Sequence, residues 1–244
     1  MEAITAVTTP MTMTTNPIDE GYGWLVLLAS WLSPAYPVGA YSYSHAIEWA
    51  VEAGAVKTVR DLTDYIATVL EVGAGWPDLV LAAASWRAAE SGRHDELNDI
   101  TELGLALRPT HEIAQESLQQ GSAFVATTRA AWPGTALDWL APKYPAGIVY
   151  SVAVGCACAG RVPMRAMLAA LCHAIAVNFM SAGLRLVPLG QTDGQRTMAA
   201  LGPIIAAVVA RAAAASLADL GGAAPGIEIY SMHHETQYTR LFRS

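Results

Sequence analysis

A chain of 244 residues, 53% hydrophobic and only 14% charged, has enough apolar side chains for one large domain or two small ones. The usual charged share is about 25%, so much of the surface has to be apolar or Ala-rich, which points to a sizeable interface with another protein. A net charge of −7 argues against nucleic acid as a partner. Cys156, Cys158 and Cys172 make no disulfide framework and suit a reducing compartment.

Residues 1–22 lack the basic region and apolar core of a leader and read as a flexible tail. The stretch 23–32, GWLVLLASWL, reads as a short core helix stopped by Ser33-Pro34. The loop 34–44, PAYPVGAYSYS, is fixed by two prolines, and its tyrosines suit a contact surface. Ser44 then caps a helix over 45–53, with Gly54 as its stop. Thr58 and Asp61 have capping-box spacing, and Val59, Leu62, Ile66, Val69 and Leu70 follow at helical intervals with Arg60, Asp61, Asp64 and Glu71 opposite. Further helices are expected over 77–89 and 94–107. The next runs from Thr110 to about Thr128, with Ala114, Leu118, Gly121 and Val125 inward and Glu112, Gln115, Glu116, Gln119 and Gln120 outward. A helix over 145–159 holds Cys156 and Cys158, which lie two apart and do not face one another, so buried thiols are expected there rather than a metal site.

Residues 166–184 carry no formal charge and read as a helix that others surround, ending at Arg185, whose charge suits a helix C-terminus. The length approaches that of a membrane span, but His173, Asn178 and Ser181 interrupt it and no membrane association is expected. A last long helix is expected over 192–219, kinked or broken at Gly202-Pro203, before a linker over 221–226. No convincing strand appears. The fold class is all-α: a single-domain bundle of about eight to ten helices over 23–220, with a linker and C-terminal binding tail over 221–244.

The sequence contains no phosphate loop, nucleophile elbow or HExxH motif. His233, His234 and Glu235 are the one cluster of metal-capable residues, two ligands short of a closed site, and suit at most a transient nickel contact. Tyr238, Leu241 and Phe242 fall at i, i+3 and i+4 beside Arg240 and Arg243, an amphipathic turn too short to stand alone and suited to docking in a groove.

Three blocks carry a resemblance: WLSPAYPVGAYSYSH at 31–45 followed by Glu48, RLVPLGQTDGQ at 185–195, and MHHETQYTRLFRS at 232–244. Their order and content resemble the urease accessory protein UreF family, and 108–121 is a looser match. The resemblance implies a non-catalytic, cytoplasmic homodimer with no tightly bound cofactor. It implies a partner that docks on a UreD/UreH-type protein holding apo-urease and recruits the GTPase UreG, coupling GTP hydrolysis to nickel delivery. Carried onto this chain, the partner-binding residues are Tyr36, Pro37, Tyr41, Ser42, Tyr43 and Glu48, then Arg185, Pro188, Leu189, Gly190, Gln191 and Gln195, and finally Glu235, Tyr238, Arg240, Leu241, Phe242 and Arg243. Competing readings are a small metal-binding protein or enzyme using His233 and His234, and an Ala-rich membrane component.

Overall fold

A computed structural model describes residues 21–244, so the tail expected over 1–22 lies almost wholly outside the described residues. Where the sequence offers a cap and an apolar stripe together, the helix follows directly. Helix α3 (Val59–Glu71) begins at Thr58, whose Oγ1 accepts from Asp61 N at 3.2 Å while Asp61 Oδ2 accepts from Thr58 N at 2.9 Å. Its apolar stripe, Leu62, Ile66, Val69 and Leu70, is fully buried.

The other helices are α1 (Gly23–Trp31), α2 (Ile47–Glu52), α4 (Gly75–Glu90), α5 (His94–Ala106) and α6 (His111–Ala131). After the single turn α7 (Leu137–Leu140) come α8 (Tyr150–Cys158), α9 (Met164–Leu186), α10 (Gln191–Ala214) and α11 (Pro225–His234). No strand occurs among the described residues. The fold is all-α, with one continuous hydrophobic core. Helix α4 lies at its centre, packed on α5, α8, α9 and α10, and α6 covers the far side of α8. Two glycines permit this closeness: a Cβ on Gly121 would meet the Ile148 carbonyl oxygen at 1.9 Å, and one on Gly155 would meet Ser85 Oγ at 2.1 Å.

Several boundaries differ from the sequence expectation for local reasons. Helix α8 begins at Tyr150, not 145, because Gly147 turns at φ +115° and Val149 is extended. Helix α10 runs through Pro203 unbroken; Ala199, four residues back, is exposed, so water can satisfy the carbonyl that loses its donor. Pro225 opens α11 at its first turn, which shortens the linker. Helix α9 is not enclosed: Ala169 and His173 are exposed, and Ala174, Val177, Asn178 and Ser181 are half-buried. Three segments have the length and composition to cross a membrane, Val59–Glu90, α9 and α10, and the first of these is two helices, α3 and α4, with a turn between them. The three cysteines are buried and free, and burial pushes the Cys158 and Cys172 thiols up to about 12.

Candidate functional site

The C-terminal signature folds back onto the N-terminal one, and α6 supplies the floor between them. The N-terminal wall begins at an unusual turn. His45 and Ala46 both adopt left-handed backbone, with φ +53° and +63°, which side-chain-bearing residues seldom do. Tyr65 OH donates to the His45 carbonyl at 2.9 Å, and Ser44 Oγ accepts from Glu48 N at 3.3 Å. The helix therefore starts at Ile47 rather than His45, and Glu48 sits in its first turn with its carboxylate turned inward.

The floor corrects the expected orientation of α6 in part: Gly121 and Val125 are buried and Gln115 and Gln119 exposed as expected, but three polar residues turn inward. Glu112, Glu116 and Gln120 are buried together with Ile113, Ser117 and Phe124, while His111, Gln115 and Gln119 are exposed. Buried carboxylates need donors, because an unpaired buried charge is strongly unfavourable. The tail supplies them. Glu48 Oε1 accepts from Leu241 N at 2.6 Å and its Oε2 from Phe242 N at 2.9 Å. Arg240 donates to Glu112 Oε1 at 2.7 Å, and Ser244 Oγ to Glu116 Oε2 at 2.8 Å. His234, fully buried, lies between two carboxylates, with Nδ1 2.7 Å from Glu112 Oε2 and Nε2 3.2 Å from Glu48 Oε2. Burial holds the Glu112 carboxyl above the usual carboxylate range, against the opposing pull of the His234 hydrogen bond and the His234 and Arg240 charges.

Backbone pairing completes the seat: Arg243 N donates to Ser42 O at 2.8 Å and Ser44 N to Ser244 O at 2.8 Å. The Phe242 ring is buried, with the Arg185 guanidinium 4.3 Å above its centroid. Helix α11 is tied to α6 by a 2.7 Å hydrogen bond between Thr110 Oγ1 and Ser231 Oγ.

Of the residues expected to bind partners, Ser42, Tyr43, Glu48, Arg185, Arg240, Phe242 and Arg243 are gathered in or beside this seat. Tyr43 OH donates to Gln119, and Arg243 lies close to the same hydroxyl. Tyr36 is instead a core residue, hydrogen-bonded to Thr128 at 2.8 Å and packed on Phe124 and Trp132. Pro37, Tyr41, Pro188, Gly190, Gln191, Gln195 and Glu235 are exposed, and Leu189 is half-buried. Gly190 N donates to Asp193 Oδ2 at 3.1 Å and so starts α10.

Two expectations need correction. The tail, expected to be too short to stand alone, is seated on its own chain. Tyr238, Leu241 and Phe242 do not share a helical face, because α11 ends at His234 and the irregular chain beyond it turns Phe242 in and Tyr238 and Leu241 out. Arg185 stands in the last turn of α9, as expected, where it is exposed, its Nε donating to Ser181 O at 3.3 Å and its guanidinium stacked on Phe242. As for metal, His233 is exposed and stacked on Trp49, both ring nitrogens of His234 face carboxylates, and no group of three or more His, Cys, Asp or Glu suited to a metal ion occurs among the described residues. Sequence reasoning missed Ser44, His45, Glu112, Glu116 and Ser244 as parts of one site. The signal was the spacing of Glu112, Glu116 and Gln120, which keeps register with Ile113 and Phe124 and marks an inner polar stripe.

The family model UreF matches residues 56–202. A urease accessory protein UreF of Granulibacter bethesdensis is 48% identical over 227 residues, covering 93% of this chain and 96% of the relative. One from Rhodopseudomonas palustris is 48% identical over 233 residues, 95% of this chain and 98% of its own length. One from Bradyrhizobium diazoefficiens is 44% identical over 242 residues, 96% of this chain and 100% of its own. With the family model spanning more than half of the chain and relatives this similar matching nearly end to end, the chain belongs to the UreF family of urease accessory proteins.

Proposed function

We propose that the chain is a non-catalytic adaptor in urease maturation. In this reading it joins apo-urease, held by a UreD/UreH-type protein, to a UreG-type GTPase whose GTP hydrolysis drives nickel delivery. It works as a cytoplasmic homodimer, and nickel is cargo rather than a resident cofactor. The supporting observation is how the C-terminal segment is presented: Ile229, Met232, Tyr238 and Leu241 are all exposed apolar side chains, displayed by a segment that the buried carboxylates hold in place. Exposed aromatic and aliphatic anchors on a fixed frame suit recognition of another protein. The three carboxylates, engaged with backbone amides, Arg240, Ser244 and His234, serve placement of the tail rather than acid–base chemistry.

Co-purification with a UreD/UreH-type protein tests this. Tyr238→Ala with Leu241→Ala should weaken capture by at least about tenfold, as loss of interface anchors does, with unchanged unfolding. A chain lacking residues 232–244 that binds the partner at full affinity would overturn the role given to the tail. Light scattering should give a mass near twice 25.7 kDa.

A further inference from the structure

Between the 33–41 loop, the first turns of α6 and the open face of α9 lies a cleft of about 410 Å³, whose walls include Val38, His45, Glu116, Val177, Ser181 and Arg185. Two of these side chains touch the tail directly. Arg185 stacks on the Phe242 ring, and Glu116 accepts from Ser244 Oγ. A third, His45, has Nδ1 3.4 Å from the same Glu116 oxygen and follows Ser44, whose backbone pairs with Ser244. We propose that residues 240–244 form a strap that braces two walls of this cleft, at Arg185 and Glu116, so that removal of the tail opens it.

Removal of the tail strips contacts from two walls. Without the Phe242 ring, the Arg185 guanidinium keeps only the 3.3 Å bond from its Nε to Ser181 O, at an exposed helix end. Glu116 keeps only Gln120, at 3.2 Å, and the distant His45 nitrogen. A buried carboxylate short of donors draws in water where space allows. His45 Nε2 is already buried without a partner, so entering water meets a second unsatisfied group there. Release of the strap therefore frees one wall and wets another. The proposal deepens the adaptor reading by stating what capture of the tail does inside the chain, but its test needs no partner and fails independently of that reading.

The test places a cysteine in the cleft, Ser181→Cys, and follows its alkylation by iodoacetamide; the three native cysteines are buried and give the background on the parent chain. The rate is compared among the Ser181→Cys chain, the same chain with Phe242→Ala, and the same chain ending at Thr239. Amide exchange at Leu241 and Phe242 reports strap release in the point variant, and Val177→Cys repeats the comparison from a second position. The expected result is a rise of roughly tenfold or more once the strap is released. A released strap with an unchanged alkylation rate at both positions would overturn the proposal, as would a cysteine that already reacts at the rate of a free thiol with the strap seated.

Discussion

Helices α3 and α6 both start on a threonine cap and both carry carboxylates along their length, yet only α6 buries carboxylates among its apolar residues. In α3 the apolar stripe turns in and the Arg60–Asp64 pair stays out, 3.7 Å apart and largely exposed. In α6 two glutamates and a glutamine turn in. The difference comes from what lies opposite. Helix α3 meets the apolar sides of α9 and α10. The first half of α6 meets a segment that brings an arginine, a serine hydroxyl and a buried histidine. A carboxylate on a helix is therefore an outside residue only when nothing elsewhere in the chain comes to meet it.

Loss of Glu48 disturbs the polar seat most. Glu48→Ala strands two tail amides and one face of His234, and should cost about 3–5 kcal/mol in urea unfolding, the usual result of removing one partner from a buried ionic network. Exchange protection at Leu241 and Phe242 should vanish with it.

Glu112 makes the buried face of α6 sensitive to pH. Burial raises its folded pKa above the unfolded value, so the folded chain binds this proton more tightly. Its contribution to stability is then fully present at acidic pH and is lost as the pH rises from the unfolded carboxylate value through the folded one. Urea midpoints measured between about pH 4 and 8 should show that fall in the parent and a flatter profile in Glu112→Gln.

Smaller effects belong to α3. Thr58→Ala removes one half of the capping box and should cost about 1 kcal/mol in thermal unfolding. Asp64→Ala should change stability by less than about 0.5 kcal/mol, since its ion pair is solvated.

The sequence made α3 legible because cap and stripe are local signals, and the all-helical character followed from several such segments. The cysteines were legible too, since spacing and apolar neighbours leave them no chemistry. The seat was not, because its parts lie far apart in the chain: Glu48 meets Leu241, and Glu116 meets Ser244. The left-handed turn at His45 and Ala46 carries no glycine or asparagine to announce it, so a helix starting at His45 was the natural reading. The open face of α9 escaped for a different reason: alanines, valine and serine serve equally well in a core and beside a cleft.

The pinned linker has a consequence for competition. Ala223 N donates to Val72 O at 2.8 Å, and α11 is tied down at Ser231, so only residues 235–244 are free to leave, a reach of at most about 35 Å when fully extended. A segment tethered this closely to its own seat behaves as if present there at millimolar concentration or more, to order of magnitude. A loose peptide copying the tail is therefore a poor rival for the seat. A protein that takes the tail gains most by first gripping the outward Tyr238 and Leu241 and peeling the segment away while it still holds on.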